Sequence, residues 1–151
     1  MALRTVHGKR VLASVGLAIT AVCAHAAADD RVIREMLKHT HGISADDIRR
    51  DYDACDSGAT FSMKLCASYR WTEQEIRLDA IYERLRHQMG PADVAFLDDA
   101  RRAWVAYREA QCVFEGTAGA GGGTAEGLYV LSCRQALTRQ QADRLDAFVQ
   151  N

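Results

Sequence analysis

Apolar positions in this chain recur at helical spacing from end to end, and nowhere alternate as a strand would. From Asp98 to Cys112 the chain is rich in Ala, Arg and Glu and holds neither Pro nor Gly, a composition that favours helix. Leu97, Trp104 and Gln111 repeat every seven residues, with Ala100, Ala103 and Tyr107 on or beside the same line. That line predicts a face with one large aromatic anchor, Trp104, among small residues that admit a close neighbour. Arg101 and Arg108 stand three and four residues from Trp104, where their aliphatic stems can lie along the indole.

The other elements follow from the same pattern. Asp29 or Asp30 can cap a first helix with a narrow stripe of Val32, Ile33, Met36 and Leu37, ending near Gly42. Ser44 and Asp47 form a weak capping box before a short helix containing Ile48 and Tyr52. Cys55-Asp56-Ser57-Gly58 reads as a turn. A long helix is predicted from about Thr60 to Met89, with Trp71, Leu78, Tyr82, Leu85 and Met89 at the three-and-four spacing of shallow helix packing. Gly90-Pro91 then marks a tight corner into a second, antiparallel long helix from Pro91 to about Phe114. Gly116, Gly119, Gly121, Gly122, Gly123 and Gly127 predict a mobile loop. A last helix should carry Val130, Cys133, Leu137, Leu145 and Phe148 on one side. The expected fold is all-α: a small antiparallel helical bundle with two long helices.

The start of the chain changes the compartment. Arg4, Lys9 and Arg10 precede an apolar run from Val11 to Val22, and Ala24 to Ala28 supplies small residues for cleavage after Ala26 or Ala28. That order predicts a secretory signal over residues 1–28 and a single domain over 29–151, periplasmic or secreted. The run is too short for a stable membrane span. Cys23 follows Val22 rather than a small residue, so it is expected to be discarded with the signal rather than lipidated. Removing the signal takes three of the 19 basic residues and none of the 20 acidic ones, leaving 16 against 20 and a net charge of −4. An acidic domain argues against nucleic acid and against an anionic membrane surface.

Four cysteines remain, and an even number in an exported chain reads as two disulfides. Cys55–Cys66 and Cys112–Cys133 are the favoured pairs, because each brackets one helix-to-helix connection. No Cys-x-x-Cys pair is present to suggest zinc.

Tyr52-Asp-Ala-Cys55, Met63-Lys-Leu-Cys66, Leu78 with Tyr82 and Leu85, Ala103-Trp104 with Tyr107-Arg108 and Cys112, then glycines, Cys133 and Leu137-Thr138 occur in one order. This resembles the LprI-type domain, a family named after a lysozyme inhibitor, over roughly Asp51 to Leu145. The resemblance implies a small, exported, helical, disulfide-bonded fold without a cofactor, with Trp104, Tyr107 and Arg108 as its motif. The chain departs from the family pattern at Arg101, where the family often has Gln. It departs again at Asp79, where Asn is common, and at Gln141, where Arg is usual.

Trp104 and Tyr107 are expected to be core anchors, and Arg108 to clamp a buried carbonyl or an acid such as Asp79 or Glu75. His39 and His41 lack an evident third metal ligand. The glycine run lacks the Lys and Ser/Thr of a phosphate loop and follows a helix rather than a strand. Beyond the signal the only histidines are His39, His41 and His87, no Gly-x-Ser-x-Gly occurs, and oxidised cysteines leave no thiol nucleophile, so catalysis is not expected. The reading is a binding protein that inhibits a lysozyme-type muramidase, with a cationic lysozyme as partner. Glu115, Gly121, Gly122, Gly123 and Glu126 are the candidate contact. The alternatives are an envelope interaction or stress protein with another partner, and a weak metal-binding protein using His39 and His41.

Overall fold

The computed structural model describes residues 27–55 and 57–149. Residues 1–26 of the expected signal peptide, Cys23 among them, lie outside the described residues. Five helices occur in this order: α1 (Asp30–His39), α2 (Ala45–Asp53), α3 (Thr60–Gln88), α4 (Pro91–Ala120) and α5 (Glu126–Val149). Every regular element among the described residues is a helix.

Local chemistry sets most of the boundaries. The Asp29 carboxylate accepts the Arg31 N–H at 2.6 Å and caps α1. The expected capping box at α2 is complete: Ser44 Oγ accepts the Asp47 N–H at 3.1 Å, and Asp47 Oδ2 accepts the Ser44 N–H at 3.0 Å. The Ser44 hydroxyl and N–H, with Arg50 behind them, hold the Asp47 carboxyl down at about 2. Gly90 caps α4 with Pro91 in its first turn, as the sequence predicts.

The two expected long helices, α3 and α4, make the body together with α5. The pairs Arg86–Asp98, Asp79–Arg101 and Glu75–Arg108 fall in reverse order along α3 and α4, so these helices run antiparallel. Cys112–Cys133 and Glu109–Arg134 show the same for α4 and α5. Trp71–Arg134, Glu75–Thr138, Arg77–Asp143 and Arg84–Asp146 fall in the same order, so α3 and α5 run parallel. The bundle is therefore up-down-up, with α5 packed along both other helices and α3 and α4 joined mainly by long arginine side chains.

Two apolar cores sit along α3. Val32, Ile33 and Met36 of α1 and Ile48 of α2 pack on Leu65 and Tyr69, whose hydroxyl accepts the Asp29 N–H at 2.5 Å. Further on, Leu78, Ile81, Tyr82 and Leu85 pack against Ala142 of α5, flanked by Leu97 and Trp104 of α4. Both expected disulfides are present, Cys55–Cys66 and Cys112–Cys133, with Cα–Cα separations of 5.8 and 5.4 Å.

Two expectations are corrected. Helix α4 does not stop at Phe114 but runs six residues further, through Gly116 and Gly119. The predicted loop from Gly116 to Gly127 shrinks to a turn between Ala120 and Glu126. Gly116 is buried: a Cβ there would lie 2.4 Å from Val130 Cγ2 and 3.3 Å from the Glu126 carbonyl oxygen. At Gly119 a Cβ would stand 3.2 Å from the Tyr129 ring. These glycines let two helices come close; they do not break one. The second correction concerns α5, where Thr138 and Ala142 are buried with Cys133 while Phe148 faces solvent.

Candidate functional site

Arg108 is the most unusual residue of the bundle, a guanidinium only 4% exposed in a helical protein of this size. Burying a charge is costly unless every part of it is paired. Here the surroundings do that from three helices. Nη1 donates to Glu75 Oε1 of α3 and, at 2.8 Å, to Thr138 Oγ1 of α5. Nε and Nη2 donate to Glu109 Oε1 at 3.2 and 3.1 Å. The Thr138 hydroxyl donates to Glu75 Oε1 at 3.0 Å, and Trp71 Nε1 donates to the same oxygen at 3.1 Å. Arg134 pairs with the other oxygen of Glu109. The guanidinium carbon of Arg108 lies 4.9 Å from the Trp104 ring centroid and 5.5 Å from that of Trp71, and Arg134 covers the Trp71 ring at 4.9 Å. Two arginines and two glutamates cancel, so the knot ties α3, α4 and α5 together and leaves little charge for an outside ligand.

The expectations for this motif divide. Arg108 does clamp an acid, and that acid is Glu75. Trp104 is half-buried, packed on the second core rather than central to it. Tyr107 is not a core residue: it is 55% exposed, because the turn of α4 that buries Arg108 points residue 107 outward. Arg101 lies over Tyr82, at 4.6 Å from its centroid, instead of along Trp104. Its guanidinium pairs with Asp79, so two of the departures from the family pattern face each other as an ion pair. Burial still pushes the Asp79 carboxyl above its usual range, with Arg101 pulling it back.

The candidate contact sits at the opposite end of α4 from the Gly90-Pro91 corner. Gly121, Gly122 and Gly123 have φ of +59, +83 and +109°, the left-handed region that favours glycine, and nothing lies within 4 Å of an added Cβ at any of them. The Gly121 N–H closes α4 on the Thr117 carbonyl at 3.1 Å. Glu115 is exposed and accepts from Gln111 Nε2 at 2.7 Å. Glu126 opens α5 and accepts the Thr117 hydroxyl at 3.3 Å. The structure thus brings Glu126 beside the end of α4, with the buried Cys112–Cys133 bridge beneath. His39 stands 3.7 Å from Glu35, and among the described residues no group of three or more His, Cys, Asp or Glu is placed to hold a metal ion. None of the described helices is long and apolar enough to cross a membrane.

Sequence reasoning did not find Trp71, Glu109, Arg134 or Thr138 as members of the arginine knot, since nothing in a single chain says which polar residues of separate helices will meet. Gly116 and Gly119 did carry a signal. With Cys112 they follow a four-and-three spacing, which places all three on one face of a helix.

The model of the family described as "Lysozyme inhibitor LprI" matches residues 53–145, from the last residue of α2 to near the end of α5. No curated protein and no solved structure matches.

Proposed function

The chain belongs to the lysozyme inhibitor LprI family, and from that premise we propose that it is an exported binding protein that inhibits a lysozyme-type muramidase. The family match over residues 53–145 is the observation that carries the reading. Two disulfides suit an oxidising compartment outside the cytoplasm, and a domain of net charge −4 suits encounter with a cationic enzyme.

The contact we assign is the α4–α5 turn. A lysozyme cuts glycan with two carboxylates in a cleft, one of them kept protonated by an apolar pocket. An inhibitor needs only a protruding segment that fills such a cleft, carried on a base that does not yield. The turn projects beyond the bridge, its glycines permit close backbone approach, and Glu115 and Glu126 flank it. Because the helices hold Gly116 and Gly119, only the few residues from Gly121 to Ala125 need ordering on binding, which lowers the entropic cost.

The test is inhibition of a cationic lysozyme by the purified protein, beside the double variant Glu115→Lys, Glu126→Lys. Inhibition should be strong for the parent and weak for the variant, with both melting at similar temperatures. A parent that inhibits no lysozyme sinks the function. Full inhibition by the folded variant removes the turn as the contact.

A further inference from the structure

Helix α4 carries a second apolar line, turned away from α3 and α5 over most of its length; at one end Phe96 and Ala100 also edge a groove shared with Met89 at the end of α3 and Phe148 of α5. Ala92, Phe96, Ala100, Ala103, Tyr107, Ala110, Phe114 and Ala118 follow one another at spacings of four and three, and every one of them is exposed. No charged residue interrupts the line. Phe96, Tyr107 and Phe114 are 73, 55 and 67% exposed, which is far more than scattered surface aromatics require.

The order of residues on this line suits a second copy of itself. Counted from position 105, Phe96 and Phe114 lie nine residues away on either side, Ala100 and Ala110 five, and Ala92 and Ala118 thirteen. The line reads nearly the same in both directions. An antiparallel two-fold pairing about position 105 therefore sets phenylalanine beside phenylalanine and most alanines beside alanines, with every contact made twice. We propose that the α4 line is a homodimer interface in which two copies of α4 pack antiparallel about position 105. This goes beyond the inhibitor reading and does not rest on it.

In that pairing Phe96 lies level with the partner's Phe114, so a ring pair closes each end. Tyr107 lies over the partner's Ala103, a large residue on a small one. Between these layers Ala100 meets the partner's Ala110, and the alanines let the two backbones approach closely. The area suffices. Each of the three rings exposes on the order of 100–150 Å², about 400 Å² per copy. Two copies with their alanines then bury more than about 1,000 Å², the range of specific interfaces. The inhibitory turn between α4 and α5 would appear once at each end of the dimer, facing opposite ways.

Sedimentation equilibrium of the protein produced from the full chain tests this, beside Ala103→Arg on the line and Ala80→Arg on the exposed face of α3 as control. Both alanines lie on helix surfaces, so neither change threatens the fold. The parent and Ala80→Arg should sediment at twice the chain mass, and Ala103→Arg at the chain mass. Oxidation of an Ala103→Cys, Tyr107→Cys double variant should give a covalent dimer. A parent at the mass of one chain up to about millimolar concentration overturns the proposal, as does an Ala103→Arg variant that remains dimeric. A single-chain parent whose lysozyme inhibition Ala103→Arg abolishes would hand the line to the enzyme instead and overturn it equally.

Discussion

A glycine inside a helix is ordinarily a weakness, and replacing it by alanine gains about 1 kcal/mol of helix propensity. Gly116 should behave oppositely. A Cβ there would lie 2.4 Å from Val130 Cγ2, so something must move. Val130 is β-branched and stiff about χ1 within a helix, and the Glu126 carbonyl oxygen at 3.3 Å and Val130 nitrogen at 3.5 Å block a shift of the new methyl toward α5 backbone. Overpacking of this kind costs about 1–3 kcal/mol. The gain and the cost sum to a net loss of up to about 2 kcal/mol for Gly116→Ala. The strain also lies one turn from Cys112, where the bridge needs α4 and α5 close. Urea unfolding of the oxidised protein measures the loss. The sharper comparison is Gly116→Ala in a Val130→Ala background, where the closest obstacle is gone and the change should be neutral or stabilising. Stabilisation by Gly116→Ala alone, equal to that in the Val130→Ala background, would refute the reasoning and make Gly116 a plain helix defect.

Two further outcomes are expected. Arg108→Ala should cost about 3–5 kcal/mol, because it strands Glu75 and Glu109 beside a buried cavity, whereas Arg102→Ala on the exposed face should cost under about 0.5 kcal/mol; thermal melts of the two variants decide it. The Asp47 carboxyl sits below its ordinary value of 3.8, at about 2, so it binds its proton less readily in the folded chain than in the unfolded one. Its contribution is therefore complete above about pH 4 and lost as pH falls toward 2, and circular dichroism melts across that window should show a steeper decline for the parent than for Asp47→Asn.

The sequence carried the helices of the first half almost to the residue. Ser44 with Asp47, and Gly90 with Pro91, are local chemistry that does not depend on distant partners. The disulfide pairing was legible for a related reason, since each bridge spans one helix connection. Position 107 was misread because α4 bears two apolar lines, one through Leu97 and Trp104 and one through Phe96 and Tyr107. Periodicity alone does not say which line faces inward. The glycines misled through composition: six within a short stretch resemble a linker, although two of them sit where α4 and α5 come close. The arginine knot was only half visible. A charged residue predicts an exposed position, and only the meeting of Trp71, Glu75, Glu109 and Thr138 around Arg108 reverses that rule.

The two cores strung along α3 bear on how the molecule opens. Leu65 and Tyr69 pack with α1 and α2, whereas Leu78 to Leu85 pack with α4 and α5, and the start of α5 also reaches the first half of α3 at Lys64 and Trp71. One continuous helix thus serves two cores, and only the first of them includes α1 and α2. Amide hydrogen exchange should divide α3 near residue 75 into a half that opens with α1 and α2 and a half protected up to global unfolding. Occupation of the α4–α5 turn by an enzyme would slow exchange in the first half, because the start of α5 lies against the start of α3, where Gly127 faces Lys64.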